Sequence, residues 1–147
     1  MIDKYKSDEI TGVPSGFDDL DKLTNGLQPT DFIVLAARPA MGKTSLALSI
    51  LGNSAITYGK SVAFFSLEMG SEQLVQRLLC LSGKIDMHQL RTGRLPASEH
   101  KKIPIHAQML SDASIFVDEQ NGLTIVDLKS KCRMLAKQHG LDMIIID

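Results

Sequence analysis

The sequence predicts an α/β fold, a parallel sheet with flanking helices built around a phosphate-binding loop. Three observations predict it. Four short apolar runs, at 32–36, 62–65, 115–117 and 143–146, recur along the 147 residues, and wholly apolar runs suit strands covered on both faces. Helical spacing fills the stretches between them, so the strands lie parallel and a ligand belongs at their carboxyl ends. Between the first run and the helix after it stands Ala37-Arg-Pro-Ala-Met-Gly-Lys-Thr44, a pattern whose small residues let backbone N–H groups wrap phosphate oxygens.

Each element has its own signal. Residues 1–10 are polar and without period, the end of a linker, and 11–147 form the folded part. Ser15 with Asp18 three places on caps a short helix, which Asn25-Gly26 ends through a left-handed residue. Phe32-Ile-Val-Leu-Ala36, bounded by Pro29 and Pro39, reads as a buried strand. Lys43–Tyr58 is helical, with Leu46, Ile50 and Leu51 on its apolar side. Val62-Ala-Phe-Phe65 is the second strand. Ser71 caps a helix whose stripe is Leu74, Val75, Leu78 and Leu79. Asp86 to Leu90 forms one helical turn, and Ser98 to Leu110 a helix that Pro104 kinks or restarts. Ile115-Phe-Val117 is a third strand. Thr124 to His139 is a helix with the stripe Ile125, Leu128, Cys132 and Leu135, closed by Gly140. Met143-Ile-Ile-Ile146 is a fourth buried strand, ending at Asp147.

Composition narrows the function classes. A net charge of −1 and 44% hydrophobic residues exclude a disordered tail, a collagen-like repeat and a protein that coats nucleic acid by bulk charge. No apolar run approaches the ~18–20 residues that span a bilayer, and Met1 to Ile10 is too polar for a signal peptide. Cys80 and Cys132 lie far apart without a CxxC, and read as reduced core thiols of a cytoplasmic protein. His88, His100, His106 and His139 show no metal-ligand spacing.

Three motifs carry chemistry. In the loop Arg38, Pro39, Ala40, Met41 and Gly42 lead to Lys43, a counter-charge for the β- and γ-phosphates, and to Thr44, a hydroxyl for Mg²⁺. Ser45 follows, and the helix opening there adds its dipole beneath the anion. Ala37 stands where the common pattern has Gly. Asp147 closes an apolar strand about a hundred residues after Lys43, the place of a carboxylate that completes a Mg²⁺ shell. Glu68, in Phe65-Ser-Leu-Glu-Met69, either polarises an attacking water or caps the Ser71 helix as an acidic residue; spacing alone leaves both readings open. Lys129, Arg133 and Lys137 fall on one helix side, a solvated face or a phosphate-backbone contact.

These residues together resemble the RecA-like motor domain of DnaB-type replicative DNA helicases. The resemblance rests on Thr11-Gly-Val-Pro-Ser-Gly-Phe-Asp-Asp-Leu-Asp, Gly26-Leu-Gln, Ala36-Ala-Arg-Pro-Ala-Met-Gly-Lys-Thr44, Phe65-Ser-Leu-Glu-Met69, Leu90-Arg-Thr-Gly93 and His139-Gly-Leu-Asp-Met-Ile-Ile-Ile-Asp147. The Ala-for-Gly loop with Arg-Pro inside it is a habit of that family, whereas Pro104 departs from it. The resemblance implies a ring-shaped homo-hexamer that hydrolyses ATP with Mg²⁺, moves along single-stranded DNA at the replication fork, and meets a primase and a helicase loader. By position it makes Lys43 and Thr44 the phosphate and Mg²⁺ residues, Glu68 the catalytic base, Asp147 the Walker B carboxylate and Arg77 an arginine near the phosphates. It also implies an arginine finger, DNA-contacting loops and further strands after Asp147, so that the RecA-like core is incomplete at its C-terminus and these residues alone do not unwind DNA. The competing readings are a recombination or regulatory ATPase of the RadA or KaiC kind, and a nucleotide-gated interaction module.

Overall fold

β1 (Val62–Phe65) is central in a three-stranded sheet of order β2-β1-β3, between β2 (Ile115–Asp118) and β3 (Met143–Ile146). A computed structural model of the chain describes residues 10–147, so the linker end read at 1–10 lies, but for Ile10, outside the described residues. Both pairings are parallel, with Val62 opposite Ile115 and Met143, and Phe65 opposite Asp118 and Ile146. The strands therefore end together, and Ser66, Glu119 and Asp147 gather at one carboxyl edge. β1 is buried along its whole length because it has a neighbour on each side.

The helices follow in order: α1 (Asp18–Thr24), α2 (Lys43–Gly52), α3 (Ser71–Gly83), α4 (Met87–Thr92), α5 (Ala97–His100), α6 (Lys102–Asp112) and α7 (Ile125–His139). α2 runs on into a π-helical turn at Asn53–Thr57. α2 lies against α3, and α3 against α6. Their contact with the sheet forms the main core: Ala47, Leu48, Leu51 and Ala55, then Val62 and Phe64, then Leu74 and Leu78. A second cluster joins Cys80, Ile85 and Leu95. Both cysteines are unpaired, Cys80 buried and Cys132 half-buried. Among the described residues no helix is long and apolar enough to cross a membrane.

Several expectations need correction. Phe32 to Ala36 forms no strand and joins no ladder among the described residues, and its first four residues are 40–92% exposed. A strand is a property of two segments: apolar residues favour the shape, but without an adjacent edge the N–H and C=O groups stay with water. β3 is not buried on both faces either. It pairs on one side only among the described residues, and its residues alternate, with Ile144 and Ile146 outward. Ser15 does not cap α1 with Asp18. Its N–H and hydroxyl donate to the buried Asp21 (2.9 and 2.7 Å), and the N-cap is Phe17. Nor does Ser71 cap α3: it is the first helical residue, after Gly70. The inner face of α2 is Ala47, Leu48 and Leu51 rather than a row through Leu46, which is half-exposed. Val75 and Ile125 likewise point outward.

Other expectations hold. Asn25 takes the left-handed cap with φ 56°. The helix read from Thr124 to His139 is α7, closed by Gly140, and its start carries a capping box of Thr124 and Asp127 that the sequence reading did not name. The helix around Pro104 restarts at Lys101, so that Pro104 falls in the first turn of α6, where its missing N–H has no helical acceptor to lose.

Candidate nucleotide-binding site

The loop before α2 is a tight turn followed by a helix start. Met41 N–H donates to the Arg38 carbonyl at 3.2 Å, with Pro39 second and Ala40 third at φ 60°. Pro fixes the second position of such a turn, and the third needs positive φ. Gly42 follows with φ 90°, and a Cβ there would meet nothing within 4 Å. Glycine is required by the backbone conformation, not by crowding. The first helical bond runs from Leu46 N–H to the Gly42 carbonyl at 2.9 Å. The N–H groups of residues 42–45 thus have no backbone acceptor among the described residues, and they open at the positive end of the helix, an anion seat.

Across from this seat, β3 delivers Asp147. Its Oδ2 accepts the Thr44 hydroxyl at 2.6 Å, and its Oδ1 meets Lys43 Nζ at 2.7 Å. The carboxylate side chain is 6% exposed and the lysine 40%. Burial pushes the Asp147 carboxyl up, but the hydrogen bonds from Lys43 and Thr44 and the charges of Lys43 and Arg77 outweigh it and hold it below the ordinary range. The hydrogen bond and charge of Asp147 raise Lys43 in turn, with a smaller push from Glu68. The pair is ionised at neutral pH.

The remaining candidates sit around this triad. Glu68 is exposed on the link after β1, near enough for its charge to act on Lys43, with no hydrogen bond of its own among the described residues. Arg77, on α3, is half-buried and lines a cleft of ≈ 580 Å³ with Ser45, Gln76 and Arg91. Arg38, Pro39, Ala40 and Met41 are exposed on the turn itself. Lys129, Arg133 and Lys137 are exposed along α7, which fits a solvated face and a phosphate-backbone contact alike. Sequence reasoning passed over two residues, Ser66 and Glu119, that accept hydrogen bonds from the segment bearing Glu68. The only signal was their place, each just after a parallel strand.

Comparison with known proteins bears on this arrangement. The profile of the DnaB-like helicase C terminal domain matches residues 12–147. This chain belongs to that family. Replicative DNA helicase DnaC of Bacillus subtilis is 46% identical over 139 residues, 95% of this chain and 31% of that protein. Replicative DNA helicase DnaB of Geobacillus stearothermophilus is 45% identical over the same length, with the same coverage. Among solved structures, an ATPase domain superposes with a TM-score of 0.89 at 32% identity, over 97% of this chain and 51% of that one. A DnaB-like replicative helicase, solved with attention to its interactions with primase, gives the same TM-score and identity over 95% of this chain and 34% of that one. The chain thus spans about a third of the length of the curated DnaB-like relatives it matches. Its fold is that of the RecA-like ATPase domains among its solved neighbours.

Proposed function

We propose that this chain is the ATP-binding and hydrolysing core of a hexameric replicative helicase that unwinds duplex DNA at the fork. One observation carries the reading: Lys43 and Thr44 converge on Asp147, about a hundred residues away, at the carboxyl edge of the sheet. Lys43 and the free amides of residues 42–45 bind the β- and γ-phosphates. Thr44 and Asp147 suit Mg²⁺, since one hydroxyl and one carboxylate leave room for the waters and phosphate oxygens it keeps. No cluster of three or more acidic, His or Cys side chains that would trap a metal without nucleotide occurs among the described residues. Thr44 and Asp147 would hold Mg²⁺ there, and the ion would supply positive charge against the phosphoryl group. Glu68 accepts a proton from the attacking water, and Arg77 adds positive charge beside the phosphates. The same reading assigns single-stranded DNA, five further copies of the chain, a primase and a loader as partners, in the cytoplasm.

The test is a pair of variants in the hexamer that contains this chain. Lys43→Ala should abolish nucleotide binding. Glu68→Gln should keep binding and lower ATP turnover at least about a hundredfold. Turnover surviving in Glu68→Gln would remove Glu68 from the reaction, and a loss of binding in that variant would give Glu68 a structural role.

A further inference from the structure

Glu68 stands on the link 66–70 between β1 and α3. With its carboxylate unbonded, its position is set by the backbone, which is fixed at four points. Ser66 N–H donates to the Asp118 carbonyl at 2.8 Å and Leu67 N–H to the Asp147 carbonyl at 2.7 Å, so the two ladders continue one residue past β1 on both sides. Met69 N–H donates to Ser66 Oγ at 3.0 Å, which wraps the link around a buried hydroxyl. Ser71 N–H donates to Glu119 Oε2, at the start of α3. The first two points are dictated by the strands. The other two depend on side chains that neither ladder nor helix requires.

The start of α3 needs such help. Its N-cap is Gly70, which offers no side-chain acceptor, so the Ser71 amide would otherwise be an orphan of the first turn. Glu119 supplies that acceptor from the end of β2, and a Cβ on Gly70 would lie 3.5 Å from the same oxygen. The Ser71 backbone and side-chain hydrogen bonds hold the Glu119 carboxyl below its ordinary range, so it acts as an anion. A general base must sit within about 2.6–3.2 Å of the oxygen it deprotonates, and a shift of about 1 Å can cost about a hundredfold in rate.

We propose that Ser66 and Glu119 are positioning residues for Glu68, which fix the 66–71 backbone from its two ends so that the Glu68 carboxylate is held over the phosphate site. The inference rests on the reading of Glu68 as the base. Among the described residues neither side chain makes a hydrogen bond to the loop, Lys43 or Asp147, so their loss should change kcat and spare nucleotide affinity.

The experiment measures ATP turnover, affinity for a fluorescent ATP analogue and melting temperature in the hexamer containing this chain. Ser66→Ala and Glu119→Ala should each lower kcat by about 10–100-fold, with the analogue Kd within about twofold and the melting temperature nearly unchanged. Glu119→Gln keeps a carbonyl acceptor and should recover most of the rate. In a Glu68→Gln background neither alanine variant should lower the residual rate further, because the residue they position has already lost its function. If Glu68→Gln abolishes turnover while both alanine variants keep wild-type kcat, the positioning inference is overturned and the reading of Glu68 stands. If Glu68→Gln itself keeps turnover, that reading fails first. A rise in Kd or a fall in melting temperature matching the rate loss would make the two residues structural only. Should Ser66→Ala not fold, the Glu119 pair decides alone.

Discussion

Replacing Asp21 by alanine should destabilise the fold by about 3 kcal/mol. Asp21 is 3% exposed, and its carboxylate takes three hydrogen bonds from the preceding loop: Ser15 N–H at 2.9 Å, the Ser15 hydroxyl at 2.7 Å and Gly16 N–H at 3.0 Å. Hydrogen bonds to a charged group are each worth about 1.5–3 kcal/mol, and a buried N–H left without a partner costs about 1–3 kcal/mol. Not all of this is lost. The Ser15 hydroxyl can turn elsewhere, Gly16 is half-exposed so water reaches its N–H, and the variant no longer buries a charge. The Ser15 N–H, in a fully buried residue, has no such relief. Asparagine is the informative control. Its oxygen can stand at the Oδ1 position and serve both Ser15 donors, but its NH₂ then faces the Gly16 N–H, so Asp21→Asn should cost about half as much. Urea titration followed by circular dichroism measures both, and for a chain of this size about 3 kcal/mol is a fall of about 6–12 °C in melting temperature. A loss below about 1 kcal/mol for the alanine variant, or equal losses for both, would refute the assignment of Asp21 as the anchor of this loop.

Three further outcomes follow from the geometry. Leu51→Ala, at a fully buried position between α2 and the sheet, should cost about 2–5 kcal/mol by the same titration, and a loss under about 1 kcal/mol would show that the core closes over the hole. The Thr124 hydroxyl and N–H hold the Asp127 carboxyl below its ordinary range; a lowered carboxylate adds stability above its unfolded value that is lost as pH falls through the folded one. The melting-temperature gap between wild type and Thr124→Ala should therefore shrink from about pH 6 to about pH 3, whereas a constant gap would argue against the charge-assisted bond. Asp147→Asn should reduce, by about tenfold, the gain in ATP affinity that Mg²⁺ provides, read by titrating a fluorescent ATP analogue with Mg²⁺ or with a chelator; an unchanged gain would refute the role given to the carboxylate.

The residues proposed to touch phosphate were legible because their chemistry is local. Lys43, Thr44 and the turn before them occupy consecutive positions, and a phosphate loop has few other ways to be written. Asp147 was legible only as a carboxylate ending an apolar run, a weak pattern strengthened by the loop far upstream. What sequence could not supply was pairing. The run 32–36 reads as apolar and extended, as do 62–65 and 143–146, yet only the latter two have edges to meet. Periodicity reports which residues avoid water, not which segment lies beside them. The same holds for Ser15: a serine followed by an aspartate at +3 fits a cap, but Ser15 stands two residues before the N-cap Phe17, and its donors reach Asp21 in the first turn of α1 instead. Ser66 and Glu119 escaped notice for a related reason. Their partners, Met69 N–H and Ser71 N–H, are backbone groups that carry no sequence signature.

The arrangement of the triad argues for a ligand of particular charge. Lys43 is 40% exposed and its contact with Asp147 lies near solvent, so letting the lysine turn toward a phosphate costs little. The carboxylate is different: at 6% exposure it cannot recover full hydration, and stripped of the lysine it keeps only the Thr44 hydroxyl and the charge of Arg77. It would also face the incoming phosphates. Transfer of Lys43 from Asp147 to a phosphate is therefore favoured when another cation takes its place, as a triphosphate arriving with Mg²⁺ would provide. Thr44 would link the two, since its O–H can go on donating to Asp147 Oδ2 while a lone pair of the same oxygen is offered to a metal. If Asp147 holds the ion as proposed, it would also discriminate between bare and metal-bound nucleotide, which is the reason Asp147→Asn should weaken the response to Mg²⁺ rather than nucleotide binding as such.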